Sequence, residues 1–119
     1  MKKDLSIYIH WPWCLKKCPY CDFNSHVAGD DLHEEYINCV ISDLNHQKTL
    51  TCDRNIVSVF FGGGTPSLMK PDYIRRILEH IDILYSLNKS TEITMECNPT
   101  SSTIDKFLGF KAAGINRLS

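Results

Sequence analysis

The residues 56–61, Ile-Val-Ser-Val-Phe-Phe, form an almost unbroken apolar run rich in β-branched and aromatic side chains that enters directly into Gly62-Gly63-Gly64. That composition reads as a strand covered on both faces in a parallel sheet and ending in a turn. Parallel neighbours need crossovers, and the rest of the chain supplies them. Leu5 to His10 alternates Leu5, Ile7 and Ile9 with Ser6, Tyr8 and His10, and Thr91 to Glu96 alternates Ile93 and Met95 with Glu92, Thr94 and Glu96. Both have the period-2 pattern of strands. A helix is expected from about Leu32 to Gln47, opened by Asp31 and Glu34 as a capping box and carrying Ile37, Val40, Ile41 and Leu44 on one stripe. Pro71 starts a second helix, with Ile74, Ile77, Leu78, Ile81 and Leu84 on its apolar face and an end near Leu87-Asn88. Ser102 with Asp105 starts a third, striped by Ile104, Phe107, Leu108 and Ala112 and stopped by Gly114, after which Ile115 to Leu118 opens a fourth strand. Trp11 to Asn24, interrupted by Pro12 and Pro19, is expected to be a loop. The order β-α-β-α-β-α-β predicts an α/β fold of four parallel strands and three helices joined by right-handed crossovers.

Charge and cysteine usage narrow the function. With 13 Lys+Arg against 14 Asp+Glu, the chain carries no basic footprint for a nucleic-acid backbone, and none is expected as a partner. No stretch approaches the ~18 apolar residues of a membrane span. Met1-Lys2-Lys3 imitates a signal n-region, but Asp4, His10 and Lys16-Lys17 interrupt any apolar region behind it, so a cytoplasmic location is expected. Six cysteines lie below the roughly 8–10% density of a disulfide scaffold. Cys14, Cys18 and Cys21 crowd together while Cys39, Cys52 and Cys97 are scattered, which favours a metal or redox site in a reducing compartment. Cys39, beside the stripe of the first helix, is expected to be a buried small hydrophobe. No role is read for Cys52 or Cys97.

Three thiolates in a C-x3-C-x2-C array can hold three irons of a cubane cluster and leave the fourth iron open to a substrate or cofactor. The alternative is a zinc site in which His10 or His26 completes a Cys3His set, making the chain a small zinc-binding interaction module, although no second C-x2-C or H-x3–5-H is present. Successive glycines at 62–64 raise the cost of ordering the turn by roughly 0.5–1 kcal/mol each relative to alanine. Either a tight turn or a cofactor lying against bare backbone requires them; the pattern is neither a P-loop nor G-x-G-x-x-G. Glu96, at the same strand end, is either a solvated charge or an acceptor for an ammonium or a ribose hydroxyl. Tyr8, on the face of His10, is either a core tyrosine or a site residue.

Taken together, Tyr-x-His-x-Pro-Trp-Cys-x3-Cys-Pro-Tyr-Cys-Asp-Phe-Asn-Ser at 8–25, Phe-Phe-Gly-Gly-Gly-Thr-Pro-Ser at 60–67, Met-Glu-Cys-Asn-Pro at 95–99 and Gly-Ile-Asn-Arg-Leu-Ser at 114–119 closely resemble radical S-adenosylmethionine (SAM) proteins. The resemblance is to the oxygen-independent coproporphyrinogen III oxidase-like family and, within it, to a heme-chaperone branch. It implies that Cys14, Cys18 and Cys21 bind a [4Fe-4S] cluster whose open iron is chelated by SAM. It further implies that Gly63, Gly64 and Thr65 contact SAM, that Glu96 holds it, that Tyr8 lies near it and that Tyr20 packs against it. Reductive cleavage of the C5′–S bond, giving a 5′-deoxyadenosyl radical, is the implied chemistry. Porphyrinogen oxidases of the family resemble C-x3-C-x2-C-x-C, whereas Phe23 stands at the fourth cysteine position here. That departure points away from porphyrin biosynthesis and towards heme trafficking. The implied partners are heme or porphyrin, a heme-acceptor protein and an electron donor. Cys97 stands where relatives carry a small residue. Because the branch consists of chaperones, the resemblance leaves enzymatic turnover open.

Length sets a further expectation. An eight-unit α/β barrel takes ~250 residues, or roughly 31 per unit, so 119 residues hold just under four units. The family implies a partial TIM barrel of six. Residues 1–119 are therefore expected to be the N-terminal part of a radical SAM core domain, inactive alone, with edge groups exposed along Leu5 to His10 and Ile115 to Ser119.

Overall fold

The computed structural model describes residues 3–14, 26–27, 32–97 and 104–119. Along them run β1 (Lys3–Trp11), β2 (Trp13–Cys14), β3 (His26–Val27), α1 (His33–Leu50), β4 (Arg54–Gly63), a 3-10 turn (Pro66–Leu68), α2 (Pro71–Tyr85), β5 (Glu92–Met95), α3 (Ile104–Ala113) and β6 (Arg117–Leu118). A four-stranded parallel sheet has the order β1-β4-β5-β6, and β2 pairs with β3 in a second, two-stranded parallel sheet. The order in the larger sheet follows the chain without reversal. Right-handed crossovers that always advance in one direction put every helix on one face, as in a barrel wall. The expected α/β architecture of four strands and three helices is present.

Register explains which residues enter the core. Ile7 lies beside Val59 and Val59 beside Ile93; Ile9 lies beside Phe61 and Phe61 beside Met95. These rows form the helix-facing side of the sheet, where they join Ile37 and Leu44 of α1, Ile74, Ile77, Leu78 and Ile81 of α2, and Phe110 of α3 in one core cluster. The opposite face carries the rows Ser6–Ser58–Glu92 and Tyr8–Phe60–Thr94–Arg117, with His10 beside Gly62. Among the described residues the central run is covered fully on one face and only partly on the other. A register irregularity at Leu5/Ser6 gives Val57 no partner on β1 and leaves it exposed, and Phe60 is half-buried.

Several boundaries shift, some outward and some inward. β1 reaches Trp11 because Trp11 still pairs with Gly63, and Trp13–Cys14 forms a strand where a loop was expected. α1 continues to Leu50 and α2 stops at Tyr85, short of Leu87-Asn88. Ser86 there takes a positive φ of 67°, and its amide bonds the Asp82 carbonyl. Pro71 opens α2 as expected, and Gly114 ends α3 with φ 126° and its amide on the Phe110 carbonyl. The caps expected from Asp31 and Ser102 fall outside the described residues; Leu32 precedes α1 without a side-chain cap.

The α3 stripe needs correction. Ile104 and Leu108 are exposed, as is Ala112, and Phe110 is the residue that enters the core. The helix packs against α2, and of the expected stripe Phe107 does pack against the core beside Phe110. Asn116 then braces the sheet. Its Oδ1 accepts from the Ile93 amide at 2.8 Å and its Nδ2 donates to the Thr91 carbonyl at 2.9 Å, so one side chain acts as a short strand against β5. β1 and β6 are the sheet edges, as expected. Among the described residues, no helix is long and apolar enough to cross a membrane.

Candidate functional site

Parallel strands bring their C-terminal ends to one rim, which is where α/β proteins place their sites. Here that rim holds Trp11 to Cys14 from β1 and β2, Gly62 to Thr65 from β4, and Glu96 just beyond β5, whose amide bonds the Phe61 carbonyl at 2.9 Å. Of the candidate residues, Tyr8, Cys14, Gly63, Gly64, Thr65 and Glu96 are brought to this end of the sheet. Cys18, Cys21 and Tyr20 lie outside the described residues, as does Phe23. His10 is close to the rim, while the side chain of His26 is not described.

Cys14 is a free, buried thiol. It is fixed from two sides. The Gly64 amide donates to the Trp11 carbonyl and the Thr65 amide to the Trp13 carbonyl, both at 2.7 Å, so the glycine turn is stitched to the segment that delivers Cys14. Behind it stands an aromatic cluster that the sequence reading missed. Trp11 and Trp13 pack at 4.7 Å, His33 sits 4.7 and 4.5 Å from them, and the Tyr36 ring meets Trp13 edge-on at 5.1 Å. Trp11, Trp13 and His33 are all buried. The cluster ties the segment before Cys14 to the first turn of α1. Trp-Pro-Trp ahead of a helix with His33 and Tyr36 three residues apart was the available signal.

The glycines have separate reasons. Gly63 has φ 119°, which L side chains rarely adopt, and a Cβ there would lie 2.4 Å from the Trp11 carbonyl oxygen. A Cβ on Gly62 would meet the Phe60 ring at 2.7 Å and the Tyr8 ring at 2.9 Å. These two rings stack, with centroids 5.9 Å apart and planes 13° apart. Tyr8 is 57% exposed among the described residues and its hydroxyl lies 3.2 Å from His10 Nδ1. Partial burial, and secondly the negative charge of Glu96, hold the Tyr8 hydroxyl above the usual tyrosine pKa. Burial likewise raises Tyr36, with smaller contributions from Tyr8 and Cys39. Glu96 itself is exposed. His10 Nε2 and Trp11 Nε1 are buried without a hydrogen-bond partner among the described residues.

Elsewhere one thiol departs from expectation. Cys39 is exposed rather than buried, because it lies next to the α1 stripe and outside it; Cys52 is exposed as well. Among the described residues clefts lie beside both edge strands, the first of them reaching Tyr8 and His10 near the rim. One of about 380 Å³ runs between the outer edge of β1 and α1, and one of about 540 Å³ lies between α3 and β6. Among the described residues no group of three or more His, Cys, Asp or Glu side chains converges.

The radical SAM superfamily model matches residues 8–119. The chain is 41% identical over 116 residues to the heme chaperone HemW of Escherichia coli (strain K12), covering 97% of this chain and 31% of that protein. To HemW of Buchnera aphidicola subsp. Schizaphis graminum it is 44% identical over the same length and coverage. It is 39% identical over 116 residues to the mitochondrial radical S-adenosyl methionine domain-containing protein 1 of Danio rerio, covering 98% of this chain and 26% of that one. Among solved structures it superposes on the coproporphyrinogen III oxidase HemN of Escherichia coli, a radical SAM enzyme, with a TM-score of 0.86 at 28% identity over 98% of this chain and 27% of that one. The chain thus spans about a third or less of the length of the relatives it matches. Its fold is that of the corresponding part of a radical SAM protein, and the chain belongs to the radical SAM superfamily.

Proposed function

We propose that residues 1–119 are the N-terminal, cofactor-binding part of a radical SAM core domain in a heme chaperone that acts in heme trafficking. The observation that carries the cofactor reading is the rim itself. A buried free thiol, Cys14, abuts a glycine turn on one side, and Glu96 lies at the end of the next strand. The residues fit the group. Thiolate sulfur suits iron and bare glycine backbone admits close approach, and His10 Nε2 is a buried polar atom without a hydrogen-bond partner among the described residues. In this reading Cys14, Cys18 and Cys21 hold a [4Fe-4S] cluster. Gly63, Gly64 and Thr65 form the floor on which SAM lies, Tyr8 and Tyr20 flank it, and Glu96 accepts hydrogen bonds from it. The bound cluster and SAM supply one-electron bond cleavage, chemistry that belongs to the cofactor. The polypeptide ligates, orients and excludes water. The Tyr8–Phe60 stack, on the face of the sheet away from the helices, lies against Gly62.

Heme delivery is supported by identities of 41–44% to chaperones of that name and by Phe23 in place of a fourth cysteine. Heme, an acceptor protein and an electron donor are the partners this reading requires. The likeness to HemN favours a second reading, porphyrinogen oxidation. The two separate in one experiment on the protein expressed from its own reading frame, reconstituted anaerobically with iron and sulfide and supplied with SAM and a low-potential reductant. Transfer of bound heme to an apo-acceptor, without conversion of coproporphyrinogen III, is the expected result. Anaerobic formation of protoporphyrinogen would replace the chaperone reading with the oxidase one.

A further inference from the structure

We infer that Gly64, with the amides of Gly64 and Thr65, is a positioning latch for Cys14: the glycine motif orients the first cluster ligand as well as leaving room for a cofactor. The inference rests on the reading of Cys14 as a cluster ligand and deepens it. Gly64 is not glycine for conformational freedom, since its φ lies outside the left-handed region; Gly63 carries that requirement. It is glycine for space. A Cβ at position 64 would stand 2.5 Å from the Trp13 carbonyl oxygen and 2.8 Å from Cys14 Sγ. The first of these is backbone, so nothing at the tip of a flexible side chain can give way. An alanine there must displace β2, and Cys14 with it.

Hydrogen bonding makes the contact directional. Two consecutive amides, of Gly64 and Thr65, reach carbonyls two residues apart, of Trp11 and Trp13. Between those carbonyls lies Pro12, which has no N–H of its own to satisfy where the chain bends. Because both amides are engaged by the polypeptide, neither is free to donate to a ligand. Whatever the turn offers SAM comes from its other atoms. The latch continues into the 3-10 turn, which packs on β2 with Thr65, Pro66 and Ser67 buried. Trp13 is meanwhile held from the far side by His33 and Tyr36. Cys14 Sγ therefore has a position set by two separate parts of the fold. A group that orients a metal ligand in this way typically contributes 10–100-fold in metal affinity.

The test uses the whole protein as expressed from its own reading frame. Gly64→Ala is compared with Gly62→Ala, whose Cβ meets the Tyr8 and Phe60 rings and leaves Cys14 untouched. The readouts are the chelator concentration that strips half the iron, the SAM-induced change in the spectrum of the reduced cluster, and alkylation of Cys14 in the cluster-free protein, followed by peptide mass mapping below the unfolding midpoint. The latch predicts that Gly64→Ala gives up iron at a roughly 10- to 100-fold lower chelator concentration and exposes Cys14 to alkylation. Gly62→Ala should do neither. Iron retention and Cys14 shielding at wild-type levels in Gly64→Ala, with loss of the SAM response alone, overturn the latch. Full iron retention in Cys14→Ala overturns the ligand reading on which the latch rests. Should Gly64→Ala fail to fold, amide hydrogen exchange of the cluster-free wild type decides: protected Gly64 and Thr65 amides support the latch, and exchange at unstructured rates refutes it.

Discussion

The two faces of one four-stranded sheet follow different rules. On the helix side Val59, Phe61 and Met95 are fully buried and meet Ile37, Ile74, Ile77, Ile81 and Phe110, all equally buried. On the other side the same strands present Ser6, Tyr8, Glu92 and Arg117, all exposed, with Phe60 half-buried beneath the Tyr8 ring. Burying one large apolar side chain is worth about 1.5–3 kcal/mol, so the helix face supplies the stability. The open face carries aromatic, hydroxyl and charged groups that contribute less to folding, and only its C-terminal end, with Tyr8, His10 and Glu96, adjoins the rim with Cys14 and Gly64. Stability and the candidate site are thus divided between two sides of the same strands.

Mutations can break that division. Phe61→Ala, on the helix face, should cost about 3–5 kcal/mol in denaturant unfolding, enough to unfold a small domain of ordinary stability. Tyr8→Ala, one strand over on the open face, should cost about 0.5–1.5 kcal/mol, the worth of an aromatic pair. Equal costs would erase the distinction between the faces. Asn116 lies between these extremes. Truncation to alanine leaves the Ile93 amide and the Thr91 carbonyl unpaired and should cost about 1–3 kcal/mol, whereas Asn116→Asp, which keeps the acceptor and loses the donor, should recover only part of that.

Electrostatic effects are smaller still. The Tyr8 hydroxyl titrates above the ordinary tyrosine value because of burial first and Glu96 second. The sign follows from linkage: this contributes stability below the unfolded-state pKa and is lost as the pH rises through the folded-state one. Glu96→Gln should lower the phenolate midpoint seen in ultraviolet titration without restoring the ordinary value, since burial remains; an unchanged midpoint would show that Glu96 does not act on Tyr8. The Arg117–Glu92 pair, 2.5 Å apart but largely solvent-exposed, should change unfolding free energy by less than about 1 kcal/mol when either partner is replaced by alanine.

Much of this division was legible in the residues. Period-2 alternation at Leu5 to His10 and Thr91 to Glu96 assigned the faces of β1 and β5 correctly, and Pro71 and Gly114 marked helix ends because each acts through local backbone geometry. Long-range effects were less legible. The irregularity that leaves Val57 exposed depends on register with β1, which no local pattern encodes. Ile104 and Leu108 follow a helical stripe yet point outward, since which face of α3 is covered is decided by its packing on α2. Cys39 misled for a similar reason: one position off an apolar stripe is a rotation of about 100° around the helix, enough to turn the side chain to solvent. At the rim, the motifs named Cys14, Gly64 and Glu96 individually. That Gly64 touches Cys14 required the fold, because 50 residues separate them in the chain and the contact exists only through the parallel pairing of β1 with β4.

The central claim is that this rim holds a cluster whose open iron takes SAM. It is tested most directly by the electron paramagnetic resonance spectrum of the anaerobically reconstituted, reduced protein, recorded with and without SAM and repeated with Cys14→Ala. A reduced-cluster signal that changes on adding SAM, and that disappears with Cys14→Ala, is the predicted result. A signal indifferent to SAM, or one that survives the loss of Cys14, would contradict it.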